Sequence, residues 1–404
     1  MSDVATPTRE AAPLLEEEED DVRLAPGFSP KRRSHPSELL LPDKVFGDTV
    51  DSRLPTSLRG KTVAITGTTS GTGYWTALVA VRKGADAVLL LNRPSHRQRV
   101  AHADMLAAAR GGTAVHAVDC DLGSFASVRT AAAEVARLCS GGLDVLANNA
   151  GIMAAADERT VDGFDVQMQT NHLSGFLLTK LLMPSMEAAA KKRGEARVVQ
   201  HSSAARFLPL GRFPFGGKNF ERSPRNSLGG NSGAFALANM MGQQNWRYNN
   251  TKLANPVFAM ALHAKLLAKN SRVKSLVCEP GLAATSLSAN GWQVGADLPI
   301  YEGVFTAMGP IFRRVAQSGA DGACPLLMAC FAEEAASGDF YVPKDQALSC
   351  CGRGIGPYVS GAPIRTVYGG VPREAGMETR ATSPRNWAKL WEASEKAIGE
   401  KFEL

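Results

Sequence analysis

Six short apolar runs recur along the middle of the chain, separated by longer Ala- and Leu-rich stretches of helical periodicity. The runs are Lys61-Thr-Val-Ala-Ile-Thr66, Ala87 to Leu91, Ala114 to Val118, Leu143 to Ala147, Arg197 to His201 and Val273 to Cys278. Their near-continuous apolar character predicts strands buried on both faces, because a strand with one wet face would alternate. A helical stretch from Tyr74 to Lys83 follows the first of them. Strand–helix alternation of this kind predicts an α/β fold, a doubly wound parallel sheet with helices on both faces. No internal repeat is visible, so one extended domain over residues 58–404 is expected.

Residues 1–57 have a different texture. An acidic run from Glu16 to Asp21 precedes the basic cluster Lys31-Arg32-Arg33, and prolines stand at 7, 13, 26, 30, 36, 42 and 55. Such a segment buries too little apolar area to offset its ordering entropy, which predicts a flexible N-terminal tail. The stretch Leu39 to Phe46 is the exception, apolar enough to pack on the body.

Composition narrows the class. The chain has 404 residues, 44% hydrophobic and 21% charged, with a formal net charge of only +6. That excludes a disordered, collagenous or coiled-coil chain. It gives no bulk-charge signal for nucleic acid, and a modest basic surplus suits a phosphorylated cofactor. Seven cysteines, an odd number with no CxxC pair, predict reduced thiols and an intracellular, cytoplasmic setting. No apolar run approaches the ~20 residues of a transmembrane helix. The N-terminus lacks the pattern of a signal peptide, and the ending Lys401-Phe402-Glu403-Leu404 is read as a coincidental likeness to a retention tail. No cysteine has zinc-ligand spacing to a histidine, so no metal is expected.

The first strand runs into Thr66-Gly67-Thr68-Thr69-Ser70-Gly71-Thr72-Gly73. Glycines spaced in this way between a strand and a helix permit a tight turn at Gly67, close approach of a pyrophosphate at Gly71 and close helix–strand packing at Gly73. The helix N-terminus then presents N–H groups to the phosphates, with Thr69 and Ser70 beside them. The second strand ends Leu91-Asn92-Arg93. A site for NAD has an acid there for the ribose 2′-hydroxyl, whereas an arginine can pair with a 2′-phosphate. NADP(H) is therefore the expected cofactor. Asp121, after the third strand, is placed to meet the adenine amino group or to serve as a helix-entry acid.

Later strand ends carry Asn148-Asn149-Ala150-Gly151 and Ser202-Ser203. Tyr248 and Lys252 lie four apart at the head of a helical stretch and share one helix face, which brings an ammonium near a phenol. These motifs, with Asn171 and with Glu279-Pro280-Gly281 and Thr285, make the chain resemble the short-chain dehydrogenase/reductase family over about residues 58–400. The texture is similar to its retinol-dehydrogenase-like branch in Asn171-His172-Leu173-Ser174-Gly175-Phe176, in Thr251-Lys252-Leu253-Ala254-Asn255 and in Ser337-Gly338-Asp339-Phe340-Tyr341. Leu390-Trp391-Glu392 with Ser394-Glu395 adds to that likeness.

The resemblance implies a Rossmann-type fold and an NADP(H)-dependent oxidoreductase. It implies Tyr248 as general acid/base, with Lys252 lowering its pKa and bonding the nicotinamide ribose. Ser203 would bond the substrate oxygen, the strand register favouring it over Ser202. Asn171 would hold a water linking Lys252 to solvent. Asn148, Ala150, Gly151, Pro280 and Gly281 would line the cofactor, and Thr285 would touch its carboxamide. Protochlorophyllide reductases share these motifs and stay open as an alternative, although their branch carries a cysteine two residues after the lysine and this chain has Ala254 there.

An insertion over about 207–245, holding Phe207, Phe213, Phe215, Phe220 and Phe235, flanks the expected substrate mouth, with Trp246 just beyond it. The segment 286–316, with Leu287, Trp292, Ile300, Phe305 and Phe312, is expected to cover the substrate. Its apolar character suits a lipophilic alcohol, aldehyde or ketone, although an oligomer interface would look the same. A non-catalytic NADP-binding scaffold and a subunit of a larger complex also stay open. The latter would use the N-terminal tail and the insertion to meet a protein partner or a second copy.

Overall fold

The computed structural model describes residues 41–109, 112–207, 218–223, 227–229, 243–281, 283, 317–343, 363–367 and 378–404. Eight strands form one sheet in the order β3-β2-β1-β4-β5-β6-β7-β8. They are β1 (Thr62–Thr66), β2 (Ala87–Asn92), β3 (Ala114–Asp119), β4 (Val145–Asn148), β5 (Ala196–His201), β6 (Val273–Cys278), β7 (Asp339–Pro343) and β8 (Pro363–Val367). Each pairing from β3 to β7 is parallel, and β8 returns antiparallel on β7. All six apolar runs read from the sequence are strands.

The strand β7, between β6 and β8, is not among the six apolar runs. Its sequence, Asp339-Phe-Tyr-Val-Pro343, begins with an acid and ends in proline. It is nevertheless buried throughout, because it covers the flank of β6 in register Val277 to Phe340.

Helices sandwich this sheet. On one face lie α1 (Gly71–Arg82), α2 (His96–Ala108) and, further along the chain, α6 (Gly319–Phe331). On the other lie α3 (Phe125–Leu138), α4 (Ser174–Arg193), α5 (Gln243–Ala268) and α7 (Pro384–Ile398). Among the described residues two main cores result, one per face, with a small third cluster of Ala259, Val277, Phe340 and Val342. In the second, Phe176 meets Phe258 at 5.0 Å and Trp391 at 5.2 Å, and Trp391 stacks on Phe402 at 4.9 Å. This aromatic seam joins the C-terminal helix to α4 and α5. The described cysteines Cys120, Cys139, Cys278, Cys324 and Cys330 are buried free thiols within these layers.

Residues 44–58 make specific contacts with the rest of the chain. The main-chain N–H groups of Lys44, Val45 and Phe46 all donate to the Asp321 carboxylate, at 2.9 to 3.1 Å. Leu54 and Leu58 are buried, and Phe46 meets Trp75 edge-on at 5.3 Å. The body therefore begins by Lys44. The donors of Lys44–Phe46, within the apolar stretch Leu39 to Phe46 expected to pack, are gathered by a carboxylate from α6, and Phe46, Leu54 and Leu58 seat the segment.

Part of the long insertion is described. Phe220 is buried against His172, and the Asp157 carboxylate accepts from the N–H groups of Leu228 and Gly229. The segment 286–316 lies outside the described residues, as do Phe213, Phe215 and Phe235. Among the described residues no helix is long and apolar enough to cross a membrane.

Candidate active site

The strand order reverses between β1 and β4, and the loops after these neighbours diverge to leave a crevice at their carboxyl ends. The glycine loop rises from β1 into this crevice. Gly67 N donates to Leu91 O at 3.0 Å, Gly71 opens α1, and Thr69 and Ser70 are half-buried between them. Gly73 cannot be anything larger. A Cβ there would lie 2.2 Å from the Gly67 carbonyl oxygen and 2.4 Å from Asn149 Nδ2.

Asn92 ends β2 where a dinucleotide site for NAD has a carboxylate. Its amide is turned onto the loop: Oδ1 accepts from Thr68 N and Nδ2 donates to Thr68 Oγ1, each at 2.8 Å. Arg93 is exposed beside it. The arginine that reaches the loop is Arg97, in the first turn of α2, whose Nη2 donates to Ser70 Oγ at 2.9 Å. Ser70 does not cap α1 with its side chain, so a cation stands over the helix N-terminus. Asp121 Oδ1 accepts from Gly123 N at 2.8 Å in a turn entering α3.

Asn149, the one member of the Asn148–Gly151 motif given no role from the sequence, is the hub of the crevice. Its Nδ2 donates to the carbonyl oxygens of Thr66 and Gly67, which fixes the orientation of the amide. Its Oδ1 then accepts from Thr72 Oγ1 and from His201 Nδ1, both at 2.8 Å. His201 therefore carries its proton on Nδ1, and burial, with Lys252 nearby, holds its pKa down at about 3. Asn148, by contrast, faces the core and donates to Thr179 Oγ1. Ala150 N is held by Thr66 Oγ1 at 3.0 Å.

Tyr248 and Lys252 sit on one face of α5, both 3% exposed. Lys252 Nζ lies 5.8 Å from the centre of the Tyr248 ring and donates to His201 O at 3.0 Å. Burial pushes the Tyr248 phenol up to about 12, opposed by its hydrogen bond with Ser203. Burial also draws the Lys252 ammonium down to about 8. The two adjacent serines separate cleanly: Ser202 Oγ donates to Lys252 O at 2.7 Å, while Ser203 is the one beside the phenol.

Asn171 lies in a π-helical turn (Gln169–Leu173) leading into α4. Its amide clasps Ile152, accepting from N and donating to O at 2.8 Å, and also donates to Thr251 Oγ1. It thus holds the backbone after Gly151. At Gly151 itself a Cβ would stand 3.3 Å from both Asn171 Oδ1 and Lys252 Nζ. Pro280 and Gly281 follow β6 on the far side of the crevice, and Thr285 lies outside the described residues.

These residues make a slot between a glycine loop and a buried phenol–ammonium pair. The model of the short chain dehydrogenase family matches residues 61–215. Human retinol dehydrogenase 13 is 31% identical over 310 residues, 75% of this chain and 82% of that protein. The chain belongs to the short-chain dehydrogenase family. Mouse polyprenol dehydrogenase is 30% identical over 238 residues, 58% of this chain and 63% of its own length. An uncharacterised protein of Mycobacterium paratuberculosis has a crystal structure that superposes with a TM-score of 0.58 at 28% identity, over 88% of this chain and 98% of that one. This short-chain dehydrogenase is thus a retinol-dehydrogenase-like oxidoreductase, and its family binds nicotinamide cofactors.

Proposed function

We propose that this short-chain dehydrogenase is an NADP(H)-dependent carbonyl reductase or alcohol dehydrogenase for lipophilic substrates, with Tyr248 as its acid/base. The carrying observation is the buried pair on α5, Tyr248 bonded to Ser203 and Lys252 seated on the end of β5. The crevice fits the cofactor: the backbone at Gly151 has only a narrow allowance for a side chain, and the glycine loop ends at a helix N-terminus under a guanidinium. The absence of an acid at Asn92 and the placement of Arg97 and Arg93 favour the 2′-phosphate.

The bound nicotinamide supplies or accepts the hydride. The chain handles the proton. With its pKa raised toward 12, Tyr248 keeps its proton at neutral pH and can give it to a carbonyl oxygen that is gaining charge. Ser203 donates to that same oxygen. Lys252, charged below about 8, favours the phenolate left behind. The reading therefore favours reduction. Lipophilicity is supported by the names of the relatives, a retinol and a polyprenol dehydrogenase.

Fluorescence titration of the purified chain with NADPH and NADH, followed by lipophilic aldehydes and ketones, tests this. The expected result is tighter NADPH binding and oxidation on adding one carbonyl class, with Tyr248→Phe abolishing turnover and sparing binding. NADPH binding without turnover of any carbonyl would favour the scaffold reading, and failure to bind either nucleotide would overturn the assignment.

A further inference from the structure

A buried ion pair stands beside Ser203. Arg206 is 3% exposed and Glu279 is fully buried, and the Arg206 guanidinium contacts the Glu279 carboxylate. The pair spans two loops of the site. Arg206 lies in the 3-10 turn Ala204–Phe207 after β5, and Glu279 directly precedes Pro280-Gly281 after β6. From this position Arg206 holds the Ser203 carbonyl oxygen twice, through its main-chain N at 3.0 Å and its Nη1 at 3.1 Å.

Both partners are themselves seated on β7. The Arg206 guanidinium lies over the Phe340 ring at 4.5 Å, and Glu279 N donates to Tyr341 O at 3.0 Å. The Ser203 hydroxyl oxygen accepts from Ala205 N at 3.2 Å, inside the same turn. This acceptance leaves the hydroxyl proton to point at the phenol side. A buried charge pair is a poor way to gain stability, since apolar residues of equal volume usually do as well. A planar, forked donor is a good way to hold one carbonyl and one carboxylate in register.

We propose that Arg206 is a positioning residue for Ser203, aimed by the buried carboxylate of Glu279, so that the serine hydroxyl meets Tyr248 and the reacting oxygen. This rests on the reading of Ser203 and Tyr248 given above. Mere glue between two loops is the competing explanation, and the two part ways in a charge reversal. In Arg206→Glu combined with Glu279→Arg the ion pair can form again, but residue 206 no longer has a side-chain donor for the Ser203 carbonyl.

The experiment measures three things in the reversed pair, in Arg206→Lys and in Ser203→Ala: NADPH affinity by fluorescence, kcat and KM for the carbonyl, and the 13Cζ shift of Tyr248 in 13C-tyrosine protein, assigned with Tyr248→Phe. A positioning role gives NADPH affinity near that of the parent chain, kcat lower by roughly 10- to 100-fold, and a Tyr248 signal moved in the direction seen in Ser203→Ala. Parental kcat and tyrosine signal in the reversed pair would overturn it, as would NADPH affinity falling in step with kcat. Should the reversed pair fail to give a cooperative melt, Arg206→Lys decides on the same readings, because lysine keeps the charge and loses the fork. The tyrosine signal needs no turnover. If the parent chain reduces no carbonyl, the functional reading fails while the positioning role is still judged.

Discussion

The Lys252 ammonium donates to the main-chain carbonyl of His201, 3.0 Å away, and the His201 ring donates in turn to Asn149, which clasps the glycine loop. One chain of contacts thus runs from the cofactor loop to the lysine. It is built at the ends of β1, β4 and β5, adjacent strands whose carboxyl ends all open on the crevice.

Keeping Lys252 there costs stability. Its folded-state pKa is drawn from 10.5 down to about 8 by burial. Between those values the unfolded chain binds more protons than the folded one, so stability rises with pH across that window. Below about 8 the penalty is fully present, on the order of 3 kcal/mol from the size of the shift. Lys252→Met should therefore raise the melting temperature of the cofactor-free chain at pH 7, with the gain shrinking toward pH 10. The lost bond to His201 O trims the gain by about 1 kcal/mol. A lower melting temperature at pH 7 would contradict this account.

Much of this was legible beforehand for a definite reason. Buried parallel strands must be continuously apolar, so β1 to β6 announce themselves, and the glycine loop must lie between β1 and α1. Tyr248 and Lys252 are legible because one helical turn separates them. Asn149 was not, because an Asn doublet does not say which member faces the crevice; strand alternation after Ala147 sends Asn148 into the core. Arg206 and Glu279 are 73 positions apart, by their numbers in the chain, and only the pairing of β5 with β6 brings their loops together. The seating of residues 44–58 depends on Asp321, which no local pattern reveals.

Arg97 and Arg93 can be told apart by binding. Arg97 stands on Ser70 at 2.9 Å, whereas Arg93 is exposed. Charge-assisted bonds contribute about 1.5–3 kcal/mol, so Arg97→Ala should weaken NADPH by about tenfold or more while leaving NADH within about twofold. Arg93→Ala should have the smaller effect. Equal loss of both nucleotides in Arg97→Ala, read by fluorescence titration, would mean that Arg97 only braces the loop.

A second buried ion pair fixes the approach to α5. Arg247 Nη1 meets Asp165 Oδ1 at 2.5 Å, and Asp165 also caps the turn at Met168. Burial raises the Asp165 carboxyl above its ordinary range, with Arg247 as the main opposing influence. Arg247→Met leaves that carboxylate buried without its partner, at about 3–5 kcal/mol. A raised acid loses stability as pH climbs through its ordinary pKa toward the folded one. The deficit of Arg247→Met in urea unfolding should thus be larger at pH 7 than at pH 5. A deficit independent of pH would count against the buried charge as its cause.

The last prediction concerns the C-terminal helix. Ser394 Oγ donates to Leu390 O at 2.8 Å, so it can only accept from His172 Nε2, also 2.8 Å away. His172 therefore carries its proton on Nε2, and complete burial holds its pKa at about 3, neutral at any working pH. The residue adjoins Asn171 in the same π-helical turn, and its ring lies against Phe176, Phe220 and Phe258. Ser394→Ala strands a buried N–H donor, costing about 1–3 kcal/mol. Ser394→Cys keeps a weak acceptor and should lose less. Because the same turn carries Asn171, the alanine variant should lower kcat more than it weakens NADPH. If its melting temperature and kcat both match the parent, the C-terminal helix is not coupled to the Asn171 turn through this contact.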